Sequence, residues 1–211
     1  MTTLLSLLVV SAALAAPQDG RVPLTAAEAA HYGLSSSANE SVWRNADAGN
    51  IVADLPKGVT PTSLTLSARQ LRSNSSDGFL DESADGRYCH GGSTSPFADM
   101  QLPVENGMRI TGMRVFGFDN TLNSQMTVSL IERCTPNNVA GSFITSIIAE
   151  ITPLLSNGNF SLVTAIGANN VVDSDICTYT VRARLGQVGD DPPCGGVGVR
   201  LQKVRFSIEA P

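Results

Sequence analysis

Charge is scarce in this 211-residue chain: Asp, Glu, Lys and Arg together make up 16% of it, well below the usual quarter of a globular protein. The formal balance is −5, which argues against non-specific nucleic-acid binding, because that needs clustered cations to neutralise phosphates. Histidine is rarer still, with two residues, His31 and His90. HExxH is absent and the two histidines lack helical metal spacing, so zinc catalysis has no framework here. A nucleophilic Ser or Cys needs a base such as His beside it, and no G-x-S-x-G turn exists to present a Ser. His90 sits before Gly91-Gly92 and reads as a surface loop residue. No cysteine pair is spaced CxxC, which removes zinc ribbons and thioredoxin-like redox motifs. Trp43 is the single tryptophan and precedes the strand-rich region, so it offers no evident sugar-stacking platform there. Neither an internal repeat nor a heptad is present, and no apolar run approaches the roughly 20 residues of a membrane-spanning helix.

What is present begins with a short apolar run, Leu4 to Leu14, followed by the small residues of Ala13-Leu14-Ala15. It reads as a signal peptide over residues 1–15, cleaved after Ala15, although its start carries no Lys or Arg. The mature protein is then expected to be secreted, periplasmic or associated with the cell envelope, with no integral membrane segment. Cys89, Cys134, Cys177 and Cys194 fit such an oxidising destination. Of the three possible pairings we favour Cys134–Cys177, because Cys134 ends one expected strand and Cys177 begins another; Cys89–Cys194 is the complement. Asn39, Asn74 and Asn159 occupy N-x-S sequons, which matter only in a host that glycosylates.

Residues 16–96 form an irregular N-terminal segment broken by Ser35 to Ser37, Pro56, Pro61 and Asp81 to Asp85. Leu24 to Tyr32 suits a short helix, with Thr25 and Glu28 at capping-box spacing. One or two edge strands are expected near Ile51–Leu55 and Ser63–Ser67. From Phe97 the pattern changes to strands separated by turns, the mark of a sandwich or barrel. Cys177, Tyr179, Val181, Ala183 and Leu185 alternate with Thr178, Thr180, Arg182 and Arg184, so one face is buried and one is wet. In the last strand Val197, Val199 and Leu201 share one phase, whereas Val204, Phe206 and Ile208 share the other. That shift predicts a β-bulge near Gln202–Lys203. Met108 to Phe118 is apolar in both phases, requiring either a bulge near Thr111–Gly112 or a strand buried on both sides. Ile144, Ile147, Ile148 and Ile151 have helical spacing, but the β-branched content of Ala140 to Ile151 favours a strand. The expected fold is all-β: an antiparallel β-sandwich of jelly-roll-like type, with about eight strands over residues 97–211.

Short motifs in this half resemble those of a broad group of uncharacterised exported bacterial β-sandwich proteins with LPxGAxITG, DN and VDN-type blocks. The matching residues are Leu102-Pro103, Gly107, Ile110-Thr111-Gly112, Phe118-Asp119-Asn120, Val172-Asp173 and Val204-Arg205. Val104 to Asn106 lengthens the first turn, and Ser174 stands where the group has Asn. The resemblance implies export and a sandwich, and no activity.

Three sets of polar residues carry candidate chemistry. Asp119, Asp173 and Asp175, with Asp190, Asp191, Asn120, Asn169 and Asn170, lie at strand ends, where loop oxygens can hold calcium or cap turns. Calcium is the one cofactor they suggest. Arg182, Arg184, Arg200 and Arg205, with Arg109, Arg114 and Lys203, are strand-borne cations suited to an anionic glycan or to solubilising an exposed sheet. Glu132, Glu150 and Glu209 are strand-borne acids, but no spacing selects the facing pair that glycoside hydrolysis needs. The leading functional expectation is a non-enzymatic binding or structural protein with a glycan or envelope partner. A secreted hydrolase with an unrecognised carboxylate site is the alternative, and a calcium-stabilised carbohydrate-binding module is a third reading.

Overall fold

The computed structural model describes residues 20–35, 40–49, 51–52, 62–121, 126–135, 142–153, 158–167, 170–189 and 193–210. The expected leader, Asn169, Asp190 and Asp191 lie outside the described residues. Two seven-stranded sheets pack face to face. The first runs β1 (Arg21–Pro23), β2 (Glu40–Asn45), β11 (Phe143–Ile151), β10 (Met126–Cys134), β13 (Cys177–Leu185), β8 (Phe97–Gln101), β5 (Arg72–Ser73). The second runs β3 (Ile51–Val52), β12 (Gly158–Ala165), β9 (Arg109–Asp119), β14 (Val199–Glu209), β7 (Gly86–Cys89), β6 (Leu80–Ser83), and β4 (Thr62–Ser67) also pairs with β14. Neighbours are antiparallel except β2 and β11, which run parallel.

Seven of these strands follow residue 96, close to the eight expected. The other seven come from the N-terminal segment, more than the one or two expected there, and most of them extend the sheets at their edges. Among its described residues the segment has one α-helix, α1 (Ala26–His31), which starts at the Thr25–Glu28 capping box and is followed by Gly33 at φ +64°. A side chain at that φ is strained, and a Cβ there would meet the Phe97 ring at 2.9 Å.

The core lies between the sheets. Met126, Val128, Leu130, Val181, Ala183 and Leu185 face Ile110, Met113, Val115, Leu201, Val204 and Phe206, and Leu71 and Leu102 fill in around them. Fully burying each large aliphatic or aromatic side chain contributes roughly 1.5–3 kcal/mol. Three bulges keep these residues inward. Between Leu201 and Lys203 the β9–β14 register slips at Gln202, so Val199 and Leu201 face inward before it and Val204, Phe206 and Ile208 after it. On β9 the slip falls at Thr111, which resolves the two-phase pattern as a second bulge. Its hydroxyl donates to the Ser207 carbonyl at 3.2 Å. The third lies at Ile148, between the pairs Leu130–Ala149 and Ile131–Ile147. Ile148 and Ile151 join the core, while Ile147 pairs with Ile131 on the outer face, so the helical spacing of the isoleucines comes from a bulged strand with apolar residues on both sides.

Cys134 and Cys177 stand directly opposite one another on β10 and β13, with Cα atoms 4.0 Å apart, and form a disulfide. A second disulfide joins Cys89, at the end of β7, to Cys194, in the loop that bridges back to Gly186. The links span 43 and 105 residues, for which chain-entropy estimates give about 4 and about 5 kcal/mol of stabilisation. Replacing each pair with alanine should lower the urea midpoint, with the greater loss for Cys89→Ala/Cys194→Ala. Equal or reversed losses would show that native-state packing around the sulfurs outweighs loop closure.

Candidate functional site

The outer face of the first sheet carries the most developed polar architecture. Arg182, pointing outward from β13, binds both oxygens of Asp99 on β8 at 2.7 Å each. Its remaining nitrogen donates to the carbonyls of Tyr32 (3.1 Å) and Gly33 (2.8 Å) at the end of α1. One guanidinium thus fastens the helix to the sheet, and bidentate pairing of this kind is among the stronger hydrogen-bond geometries. Arg184 follows two residues on. It donates to Thr127 at 2.9 Å and lies 3.1 Å from His31 Nδ1. Tyr32 donates to Glu150 at 2.6 Å, and Thr152 donates to the same carboxylate at 3.1 Å. Burial, and then the Arg184 charge, hold the His31 pKa below its ordinary value. The Thr25 hydrogen bonds lower that of Glu28.

Beside Arg182 this face opens into a cleft of about 350 Å³. Its floor is Thr145 of β11 and Thr178 and Thr180 of β13, with Ile131 of β10 between them; its walls carry Glu40, Arg133, Asp99 and Arg182. Glu40 accepts from Thr145 at 2.7 Å and pairs with Arg133 at 3.6 Å. Arg133 also lies over the Phe143 ring, 4.1 Å from its centroid. A second hollow of about 400 Å³ adjoins at Arg133 and Thr178 and reaches Asp175 and Cys177.

Inside the sandwich, at the Cys134 end of the first sheet, Glu132 is buried. Arg21 Nη1 reaches it at 3.0 Å and donates to Ser146 at 2.7 Å. Tyr179 donates to the other Glu132 oxygen at 3.0 Å and accepts from the Asp173 backbone N–H at 3.0 Å.

The acids singled out in the sequence do not meet. Glu132 pairs across the ladder with Ser146 and faces inward, whereas Glu150, beyond the Ile148 bulge, pairs with Ser129 and faces outward. Glu209 pairs with Arg109 at 3.3 Å. Asp119 accepts from Thr121 N–H and Oγ1 at 2.9 and 2.6 Å, Asp173 from the Asp175 N–H at 3.2 Å, and Asp175 from Asn106 at 3.1 Å. Among the described residues one set of three possible metal ligands lies within 4.8 Å, namely Glu132, Cys134 and Cys177, and its sulfurs are joined to each other. The four arginines divide between two sides of the molecule: Arg182 and Arg184 lie on the outer face of the first sheet, Arg200 and Arg205 on that of the second. His90 stays in its loop, 3.8 Å from Asp81. Trp43 and Tyr179 are buried.

Glu40, Arg133 and the three threonines of the cleft carried no sequence signal of their own, because strands far apart in the chain bring them together. The outward phase of Thr178 and Thr180 on β13 was the one available clue. Fold and site together define a disulfide-bonded all-β sandwich with a polar cleft on one sheet. No protein-family model and no curated sequence matches the chain. Among the described residues no helix is long and apolar enough to cross a membrane.

Two predictions arise from the buried network. Arg21→Ala should cost about 3–5 kcal/mol, the loss typical when one partner of a buried pair is removed. Adding Glu132→Gln should recover much of it, measured by urea denaturation; no recovery would show that Arg21 acts by packing alone. Burial, with the Glu150 and Glu132 contacts adding to it, pushes the Tyr32 and Tyr179 hydroxyls well above their ordinary range. The unfolded chain loses those protons near pH ~10 and the folded one does not. Stability should therefore be full below that pH and fall as pH rises past it, with phenolate absorbance from both residues appearing only on unfolding.

Proposed function

We propose that the protein is exported and serves outside the cytoplasm as a non-catalytic, jelly-roll-like binding module whose cleft takes a small saccharide. The observation that carries this reading is the cleft of about 350 Å³ floored by Thr145, Thr178 and Thr180 between fixed charges. Its size falls at the low end of the range for small-molecule sites, roughly 300–1,000 Å³. Hydroxyls, carboxylates and guanidinium groups at fixed positions suit a polyhydroxylated ligand, since each can donate or accept with little reorganisation. The two disulfides, the leader expected over residues 1–15 and the resemblance to exported sandwich proteins support a non-cytoplasmic destination.

Hydrolysis is the second reading, favoured by one observation: Glu40 and Asp99 both line the cleft. Each is already committed, Glu40 to Thr145 and Arg133 and Asp99 to both arms of Arg182. Glycoside hydrolysis needs two carboxyl groups aimed at the scissile bond, and these two are turned to their own partners on the protein. Binding is therefore the better-supported use. A calcium-stabilised module draws less support, because Asp119 and Asp173 each already accept a turn hydrogen bond and Asp175 accepts from the Asn106 side chain.

A glycan array should give hits among neutral saccharides, and calorimetry with Thr180→Val should show about tenfold weaker binding, the loss of one to two hydrogen bonds. Release of new reducing ends from a bound saccharide would replace this reading with hydrolysis. Failure to bind any saccharide on the array would end it.

A further inference from the structure

The cleft on the first sheet is one half of a longer groove. Arg133 and Thr178 line both the cleft and the adjoining hollow, and the register of the sheet shows why. Side chains two residues apart on a strand share a face, so the outer face is built in rows across the strands. Ile131 stands opposite Thr180 in one row, and Arg133 stands between Thr145 and Thr178 in the next. Phe143, Thr135 and Ile176 continue the same phase one row further on and line the second hollow. The Thr135 N–H donates to the Ile176 carbonyl at 2.9 Å, which carries the β10–β13 pairing past the disulfide. Rows are about 7 Å apart, so the two hollows lie in line along the strands over about 13 Å. The Arg133 row is common to both.

The lining keeps one chemical character along this length. Glu40, Asp99 and Asp175 stand against Arg133 and Arg182, so the groove offers no excess of cations to an anionic chain. Hydroxyls recur between the charges, with Thr135 and Ser174 in the second hollow answering the three threonines of the first. Phe143 and Ile176 add apolar surface at the far end. A sugar chain has the same makeup, hydroxyl edges alternating with C–H faces. Each hollow alone, at about 350 and about 400 Å³, lies near the low end of the range for small-molecule sites.

We infer that the ligand is a neutral oligosaccharide of at least two units, one seated in each hollow, with Arg133 and Thr178 at the junction between them. The inference rests on the saccharide reading of the cleft and extends it to the hollow beside it. Arg133 is suited to that junction, because Glu40 holds it at 3.6 Å and the Phe143 ring lies beneath it. An extended peptide fits less well. Such a peptide gains its main-chain hydrogen bonds at a sheet edge, whereas β11 and β13 are each already paired on both sides.

The test is calorimetry on the oxidised full chain with glucose, mannose, galactose and N-acetylglucosamine and the linear dimers, trimers and tetramers of each. In at least one series the dimer should bind about tenfold more tightly than the monomer, the gain of one to two further hydrogen bonds. Ser174→Trp places a bulky ring at the second hollow from an exposed turn position. It should abolish that gain and leave monomer binding at the wild-type level. Thr135→Trp, exposed on the other side of the hollow, should do the same and serves if the first variant folds poorly. Thr180→Val, in the cleft, should weaken every length alike. Monomer binding that does not strengthen with length would overturn this inference and leave the cleft reading standing, as would a dimer gain that survives both tryptophan substitutions. Absence of binding at every length would end both.

Discussion

A β-sheet sorts its side chains by parity, so a single inserted residue reverses everything after it. Here three insertions, at Thr111, Ile148 and Gln202, set which residues face the core and which face water. Removing the slip at Gln202 from the ladder would leave Val199 and Leu201 facing inward only if Val204, Phe206 and Ile208 faced outward. The chemistry is subject to the same constraint. Without the insertion at Ile148, Glu150 would share the inner face with Glu132; with it, one acid joins the buried Arg21–Tyr179 network and the other meets Tyr32 outside. The bulges thus determine both where the core forms and which polar groups can converge.

The two sheets use their outer faces differently, and the difference begins with what covers them. The N-terminal helix lies on the first sheet and turns its strand-borne arginines into fasteners. Arg182 binds a carboxylate and two helix-end carbonyls, and Arg184 is buried against Thr127 and His31. Groups so committed hold a wall in place rather than seek a ligand, and the cleft beside them inherits that rigidity. The tight helix start supports the same arrangement. Thr25 and Glu28 satisfy one another's backbone donors, which lets a helix of six residues persist where isolated ones of that length do not.

Much of this was legible from residue order, and the parts that were not share a cause. Strict alternation in Cys177 to Leu185 and the phase break around Gln202 pointed to strands and a bulge, since both are local patterns. Thr25 and Glu28 announced the helix for the same reason. Ile147 and Ile148 were ambiguous because a strand that buries apolar residues on both faces shows the same spacing as a helix. The extent of the N-terminal strands was harder to read. Glu40–Asn45 and Gly86–Cys89 are short elements one strand in from a sheet edge, and they depend on pairing partners about a hundred residues away. The cleft was hidden for that reason as well: Glu40 and Arg133 reach one another only after β2 has paired in parallel with β11.

Strand cations that look equivalent in sequence therefore acquire opposite roles from their surroundings. Arg182 and Arg205 both occupy the wet phase of an alternating strand near the end of the chain. Arg182 finds Asp99 on the neighbouring strand and a helix above it. Arg205 finds Arg114 opposite and Thr65 on the other side, with solvent above. A guanidinium given a carboxylate and two carbonyls has most of its donors satisfied and little left to offer. One that stands at the exposed surface, across the ladder from another guanidinium, keeps its head in water. The asymmetry between the two faces follows from which strands the bulged ladders place side by side.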